Sequence, residues 1–174
     1  STEVDARAHL ARGRVVQMEW DAARFAERCA SERVTLTSLV PAQVFDLVRG
    51  GHAAPASVRA VLVGGGAFDV QLAQAAAGLG WPVYGSYGAS ECASTIAVAD
   101  GVASLELRLL LHVSARAESD GRLAFRSPSL LTAYVLPDGT LADPKIGGWF
   151  ISEDLGSVEG DSLEVIGRGR DFVK

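Results

Sequence analysis

The chain of 174 residues carries a formal charge of -5, with 48% hydrophobic and 21% charged residues. That composition is globular, long enough for one domain with a sizeable core, and the absence of a basic cluster argues against nucleic acid as the main partner. No apolar run reaches membrane-spanning length and no signal peptide is visible, while two cysteines, Cys29 and Cys92, make neither a disulfide framework nor a metal cluster, which points to a reducing cytoplasm.

In chain order, Val4 to Leu10 is short and mixed. Val15 to Met18 predicts a strand, and Asp21 is placed to cap a helix through Ala30 whose Ala22, Phe25, Ala26 and Cys29 share a face. Val34 to Val40 predicts the next strand. Pro41 then opens a helix with Val44, Phe45, Leu47 and Val48 apolar, ended by Gly50-Gly51. Val58 to Val63 predicts a third strand, followed by Gly64-Gly65-Gly66-Ala67 and a helix from Asp69 to about Leu79. Three glycines let a ligand approach the backbone, and the helix start offers free N–H groups. The spacing is not a dinucleotide fingerprint, because the third glycine of Gly-x-Gly-x-x-Gly would fall at Asp69.

The run Tyr84-Gly85-Ser86-Tyr87-Gly88-Ala89-Ser90-Glu91-Cys92-Ala93-Ser94-Thr95 combines an aromatic platform, backbone freedom and a hydroxyl beside a carboxylate. A tyrosine face can stack on a base and a carboxylate can hold Mg²⁺ through oxygen, so the mixture suits a phosphate ester bound with a metal. Trp81 to Tyr84 leads in and Ile96 to Ala99 leads out, which predicts a loop between two short buried strands. A Gly-rich turn with no ligand is equally compatible with these residue types.

Beyond Ala99 the pattern turns to period two. Strands are predicted at Leu105 to Leu109, Val113 to Ala117, Arg122 to Phe125, Trp149 to Ile151 and Leu163 to Ile166, with a turn at Ser119-Asp120-Gly121. The expected fold is α/β plus β. Residues 1–100 would form a partial α/β subdomain with a mostly parallel sheet, and residues 101–174 a small antiparallel distorted β-barrel subdomain.

Tyr87-Gly88-Ala89-Ser90-Glu91 resembles the Tyr-Gly-x-Thr-Glu motif of the adenylate-forming superfamily of acyl-CoA synthetases, peptide-synthetase adenylation domains and luciferases. Four further segments resemble family motifs in family order. Ser38-Leu39-Val40-Pro41-Ala42-Gln43 is similar to a Val-Pro-Thr segment before a helix, and Gly64 to Ala67 to Gly-Gly-Ala. Gly148-Trp149-Phe150-Ile151-Ser152-Glu153-Asp154-Leu155-Gly156 is similar to Gly-Trp-Phe-x-Thr-Gly-Asp-Leu-Gly, with Glu153 where the family often has glycine. Gly167 to Lys174 is similar to Gly-Arg-x-Asp-Asp-x-Ile-Lys. Within the superfamily, Glu91 to Thr95 and Ser129-Leu130-Leu131-Thr132-Ala133-Tyr134 look like segments of o-succinylbenzoate-CoA ligases of menaquinone biosynthesis.

The resemblance implies a two-step ligase: a small-molecule carboxylic acid attacks the α-phosphate of ATP, and coenzyme A then displaces AMP. It implies Tyr87 and Gly88 at the adenine, with the backbone of Gly64, Gly65, Gly66 and Ala67 bordering it, Ser90 on the α-phosphate and Glu91 on Mg²⁺. Asp154 and Arg168 would fix the ribose, Arg170 would sit at the hinge, and Ser38, Ser94 and Thr95 would meet the acid. Neither a phosphate loop before Ser1 nor a lid with a catalytic lysine after Lys174 is in the sequence, so the chain is expected to be cut from a longer protein and to be inactive alone. Homodimerisation is left open. Two other readings are another acyl-CoA synthetase of the superfamily and an inactive binding remnant. A third takes Gly88 to Cys92 as a degraded nucleophile elbow of an α/β-hydrolase with Ser90 as nucleophile, which requires a strand, a sharp turn and a helix around the serine.

Overall fold

The computed structural model describes residues 11–168, which divide into two compact units. Residues 11–86 with Ala99–Leu105 form the first, and Tyr87–Val98 with 106–168 the second.

In the first unit, Asp21 Oδ1 accepts from the backbone N–H groups of Ala23 (3.0 Å) and Arg24 (3.3 Å), satisfying donors that open helix α1 (Ala22–Ser31). Strand β1 (Leu36–Leu39) leads into α2 (Pro41–Arg49), where Pro41 has no N–H to lose and Gln43 Oε1 accepts from Val40 N at 3.0 Å. Strand β2 (Ala60–Val63) is followed by α3 (Val70–Gly78), capped by Asp69 Oδ1 on Gln71 N (2.8 Å) and Leu72 N (3.1 Å). Strand β3 (Val83–Ala89) begins in this unit. The pairings β1–β2 and β2–β3 are both parallel, with Leu39 opposite Val63 and Val63 opposite Gly85. Parallel strands need both faces covered, and the apolar Val61, Val63 and Val83 are accordingly buried with Phe25, Cys29, Leu47 and Trp81. The Trp81 indole satisfies its N–H on the His52 carbonyl at 2.7 Å.

In the second unit, β4 (Ser94–Ala99, of which Ala99 joins the first unit) is followed by β5 (Leu107–Leu109), β6 (Ser114–Ala117) and β7 (Arg122–Arg126). A two-residue-wide hairpin, β8 (Tyr134–Val135) with β9 (Leu141–Ala142), precedes the long pair β10 (Phe150–Glu159) and β11 (Ser162–Arg168). The first unit's strands pair in the order β1-β2-β3, and the sheet of the second runs β4-β5-β11-β10-β7-β6. Its core in this unit joins Cys92, Ile96, Ala97, Leu123, Phe125 and Leu163.

Three expectations are corrected. Among the described residues β6 pairs only with β7, so the strand run is open and no barrel closes. Val15 to Met18 forms no strand: it has no ladder partner, and Met18 and Trp20 instead pack on the first core as irregular chain. The polar run around Tyr87 is not a loop but mostly strand, since β3 continues to Ala89. The glycines that suggested a loop serve backbone approach instead: a Cβ on Gly88 would overlap the Ser94 carbonyl.

Candidate adenylate site

Strand β3 ends in a single 3₁₀ turn, Ser90–Cys92, and β4 begins two residues later. The reversal is tight enough to force Ala93 and Ser94 to φ values of 53° and 91°, a left-handed region that costs non-glycine residues energy and is concentrated at functional sites. A strand–turn–strand is not the strand–turn–helix context of a nucleophile elbow, so Ser90 lacks the setting a hydrolase serine requires.

Tyr87, on β3, is half-buried with its ring tilted against Phe125 at 5.9 Å between centroids. Its hydroxyl donates to Asp154 Oδ2 at 2.5 Å. Burial first, then the hydrogen bond and charge of Asp154, hold the Tyr87 phenol well above the ordinary tyrosine range. Asp154 in turn stands on an irregular stretch of β10. Ile151 faces Ala124 of β7, but the next paired residue, Leu155, faces Arg122, so Ser152, Glu153 and Asp154 bulge from the ladder and Asp154 is re-aimed. The bulge is held from inside by Ser152, 6% exposed, whose Oγ donates to Leu123 O at 2.9 Å and accepts from Asp154 N at 3.2 Å. Across the β10–β11 pair, Arg168 is the register partner of Asp154, and its Nε donates to Oδ1 at 3.1 Å.

Each Asp154 oxygen has a donor among the described residues, on a carboxylate only 13% exposed beside a guanidinium that is 69% exposed. A fixed carboxylate with two free acceptor positions suits two neighbouring hydroxyls.

Glu91 sits on the 3₁₀ turn. Its Oε1 accepts from the Tyr134 hydroxyl at 2.8 Å, and its carbonyl accepts from Leu131 N at 2.7 Å. Ser90 beside it is exposed. Below the turn, burial and then the Glu91 charge push the Cys92 thiol up to about 11. Among the described residues no three His, Cys, Asp or Glu side chains cluster as a closed metal cage. One carboxylate beside a hydroxyl still fits Mg²⁺, which keeps several waters and is shared with substrate phosphates.

Tyr87, Asp154 and Arg168 are thus brought together, with Glu91 and Ser90 following Tyr87 along the same segment and Ser94 and Thr95 half-buried at the start of β4. Gly64, Gly65, Gly66, Ala67 and Ser38 belong to the first unit, as exposed or half-buried positions after β2 and on β1. There, a Cβ on Gly64 would stand 2.7 Å from Ser86 Oγ, the hydroxyl that donates to Val63 O. Arg170 lies outside the described residues. Lys145 was not singled out from the sequence, and Ser152 and Tyr134 were quoted only within motifs, with no role of their own. Ser152 could have been found from its place in the Gly148 to Gly156 motif, whereas Tyr134 and Lys145 carry no local signal of what they touch.

Residues 6–126 match the family model described as AMP-binding enzyme. The chain is 30% identical over 91% of its length to a 2-succinylbenzoate--CoA ligase of Geobacillus sp. (strain WCH70), and 38% identical over 79% of its length to a probable 2-succinylbenzoate--CoA ligase of Mycobacterium tuberculosis. It spans 36% and 35% of those relatives. Among solved structures, o-succinylbenzoate coenzyme A synthetase from Bacillus subtilis in complex with AMP superposes with a TM-score of 0.83 at 22% identity, over 97% of this chain and 38% of that one. The same enzyme in complex with ATP and magnesium ion gives 0.78 at 22% identity, over 89% and 36%. No helix among the described residues is long and apolar enough to cross a membrane. With the family model matching well over half of its length, the chain belongs to the AMP-binding enzyme family of adenylate-forming ligases.

Proposed function

We propose that the chain supplies the ribose, adenine and metal contacts of an ATP-dependent acid–coenzyme A ligase whose acid is an aromatic dicarboxylate of the o-succinylbenzoate type. The observation that carries this reading is the Tyr87–Asp154–Arg168 cluster, a half-buried carboxylate held from two sides with both oxygens still able to accept. The names of the relatives support the choice of acid, and the AMP, ATP and magnesium in the titles of the Bacillus subtilis structures support the nucleotide.

In the reaction the acid carboxylate attacks the α-phosphorus of ATP and pyrophosphate leaves, giving acyl-AMP. The thiol of coenzyme A then attacks the acyl carbon and AMP leaves. Asp154 accepts from the two ribose hydroxyls while Arg168 orients its carboxylate, and the Tyr87 ring, anchored by its hydroxyl, faces the base. The Ser90 hydroxyl donates to an α-phosphate oxygen. Glu91 would hold Mg²⁺, which when bound offsets the charge that grows on the departing pyrophosphate. Ser94 and Thr95 offer hydroxyls to the second carboxylate of the acid.

The test is binding of non-hydrolysable acyl-AMP analogues with o-succinylbenzoyl, benzoyl and fatty-acyl groups. The expected result is preference for the first, with Asp154→Asn weakening it about tenfold or more, the size of a lost charged hydrogen bond. Preference for a fatty-acyl analogue would move the chain to another acid, and no binding of any would leave a remnant without a working site.

A further inference from the structure

The segment from Ser127 to Lys145 is stitched over the turn that carries Glu91 by bonds from three successive points. Ser129 Oγ, itself 2.8 Å from Ser127 Oγ, donates to Cys92 O at 3.1 Å. Leu131 N donates to Glu91 O, and Tyr134 Oη donates to Glu91 Oε1 at 2.8 Å. Two of these fix the backbone of the turn, and only the third reaches the carboxylate.

Tyr134 is placed for that contact by its own surroundings. It opens the β8–β9 hairpin opposite Ala142, and Leu136 N donates to Thr140 O at 2.9 Å across the hairpin end. The base is tied by Lys145, whose Nζ donates to the carbonyls of Leu131 and Thr132 at 2.8 Å each and pairs with Asp143 at 2.7 Å. That ammonium, on a side chain 21% exposed, joins the irregular segment that leads into the hairpin to the one that leaves it. Among the described residues no group donates to Glu91 Oε2.

We propose that Tyr134 is a positioning residue for Glu91: its hydroxyl occupies Oε1 and turns Oε2 outward to the divalent cation, with Lys145 holding the hairpin that presents the hydroxyl. This rests on the reading of Glu91 as the metal ligand. A lone half-buried carboxylate on a short turn keeps χ freedom, and a donor on one oxygen reduces that freedom and selects which oxygen faces the metal, as partners behind metal ligands do elsewhere. The hairpin then has a job in the site even though it contributes no ligand.

The test uses the 174-residue chain with Mn²⁺·ATP as probe, followed by the paramagnetic enhancement of water relaxation, and with ATP in EDTA as the metal-free reference. Tyr134→Phe keeps the ring of a residue that is 40% exposed, so the fold survives. The expected loss of Mn²⁺ affinity is about tenfold, the lower end of the range for residues behind a metal ligand, with metal-free ATP affinity unchanged. In a Glu91→Gln background the same substitution should change nothing further, which a purely structural role would not produce. Lys145→Met, which touches neither Glu91 nor Tyr134, should reproduce part of the loss. If Glu91→Gln weakens Mn²⁺ binding and Tyr134→Phe does not, or if the two losses add, the positioning role is overturned and the metal reading stands. If Glu91→Gln leaves Mn²⁺ binding as it was, or the unaltered chain binds no Mn²⁺·ATP, both fall.

Discussion

The Tyr87 hydroxyl and Asp154 Oδ2, 67 residues apart in the chain, stand 2.5 Å from each other. This bond makes Tyr87 part of the carboxylate site as well as a stacking surface. It also predicts a pH dependence. The folded phenol is held above the ordinary range, while an unfolded tyrosine ionises near about 10. Its contribution is therefore fully present below about pH 10 and is lost as pH rises from there through the folded value, because the unfolded chain gives up its proton first. Tyr87→Phe should cost about 1.5–3 kcal/mol at neutral pH, the worth of a hydrogen bond to a charged group, and should flatten the alkaline loss of stability. Urea denaturation of both proteins from pH 7 to 11 measures it, and parallel curves would show that the Asp154 bond contributes nothing.

Two glycines are predicted to respond in opposite directions to the same substitution. A Cβ on Gly88 meets the backbone of Ser94 and Thr95, which cannot rotate away, so Gly88→Ala should destabilise by at least the roughly 1–3 kcal/mol of an overpacked core, or abolish folding. A Cβ on Gly78, in α3, meets nothing within 4 Å. Gly78→Ala should stabilise by up to about 1 kcal/mol through helix propensity alone. Denaturation midpoints of the pair distinguish close approach from a general sensitivity to lost flexibility.

What could be read from the sequence depended on range. Asp21 and Asp69 accept from N–H groups within three residues and Pro41 opens its helix with no N–H to lose, so the three helices were visible from them. Val15 to Met18 failed because a strand needs a partner, and period alone says nothing of one. The role of Tyr87 was half visible: its ring belongs to the motif, but the hydroxyl bond to Asp154 depends on a bulge between β7 and β10 that no local pattern announces. The contact of Tyr134, a residue quoted only as the end of the Ser129 to Tyr134 segment, was not legible for the same reason, since its partner lies 43 residues earlier.

Both thiols should be inert in the folded chain. Cys29 and Cys92 are 0% and 2% exposed, and burial raises both above the usual thiol range, Cys92 to about 11 with help from Glu91. The thiolate is the reactive form, so low access and low ionisation act in the same direction. At pH 8 a maleimide should label neither cysteine on the timescale that labels both in denaturant. Fast labelling of Cys92 in the native chain would show that the turn above it opens readily.

The last prediction concerns the left-handed residue after that turn. Ala93 sits at φ 53° and ψ 45°, a conformation that costs an L-residue roughly 1–2 kcal/mol and costs glycine almost nothing. Its side chain is exposed, so shortening it gives up little packing. Against the relief stands the greater freedom of glycine in the unfolded chain, about 0.4–1 kcal/mol. The net expectation for Ala93→Gly is a gain of about 0.5–1 kcal/mol, seen as a Tm raised by about 2–4 °C per kcal/mol for a chain of this size. The same substitution loosens the junction between Glu91 and β4, so Mn²⁺·ATP affinity should fall while stability rises. A gain in stability with unchanged affinity would mean that the left-handed turn is tolerated for the sake of the chain reversal alone, and a loss of stability would mean that the Ala93 methyl makes a contact worth more than the strain.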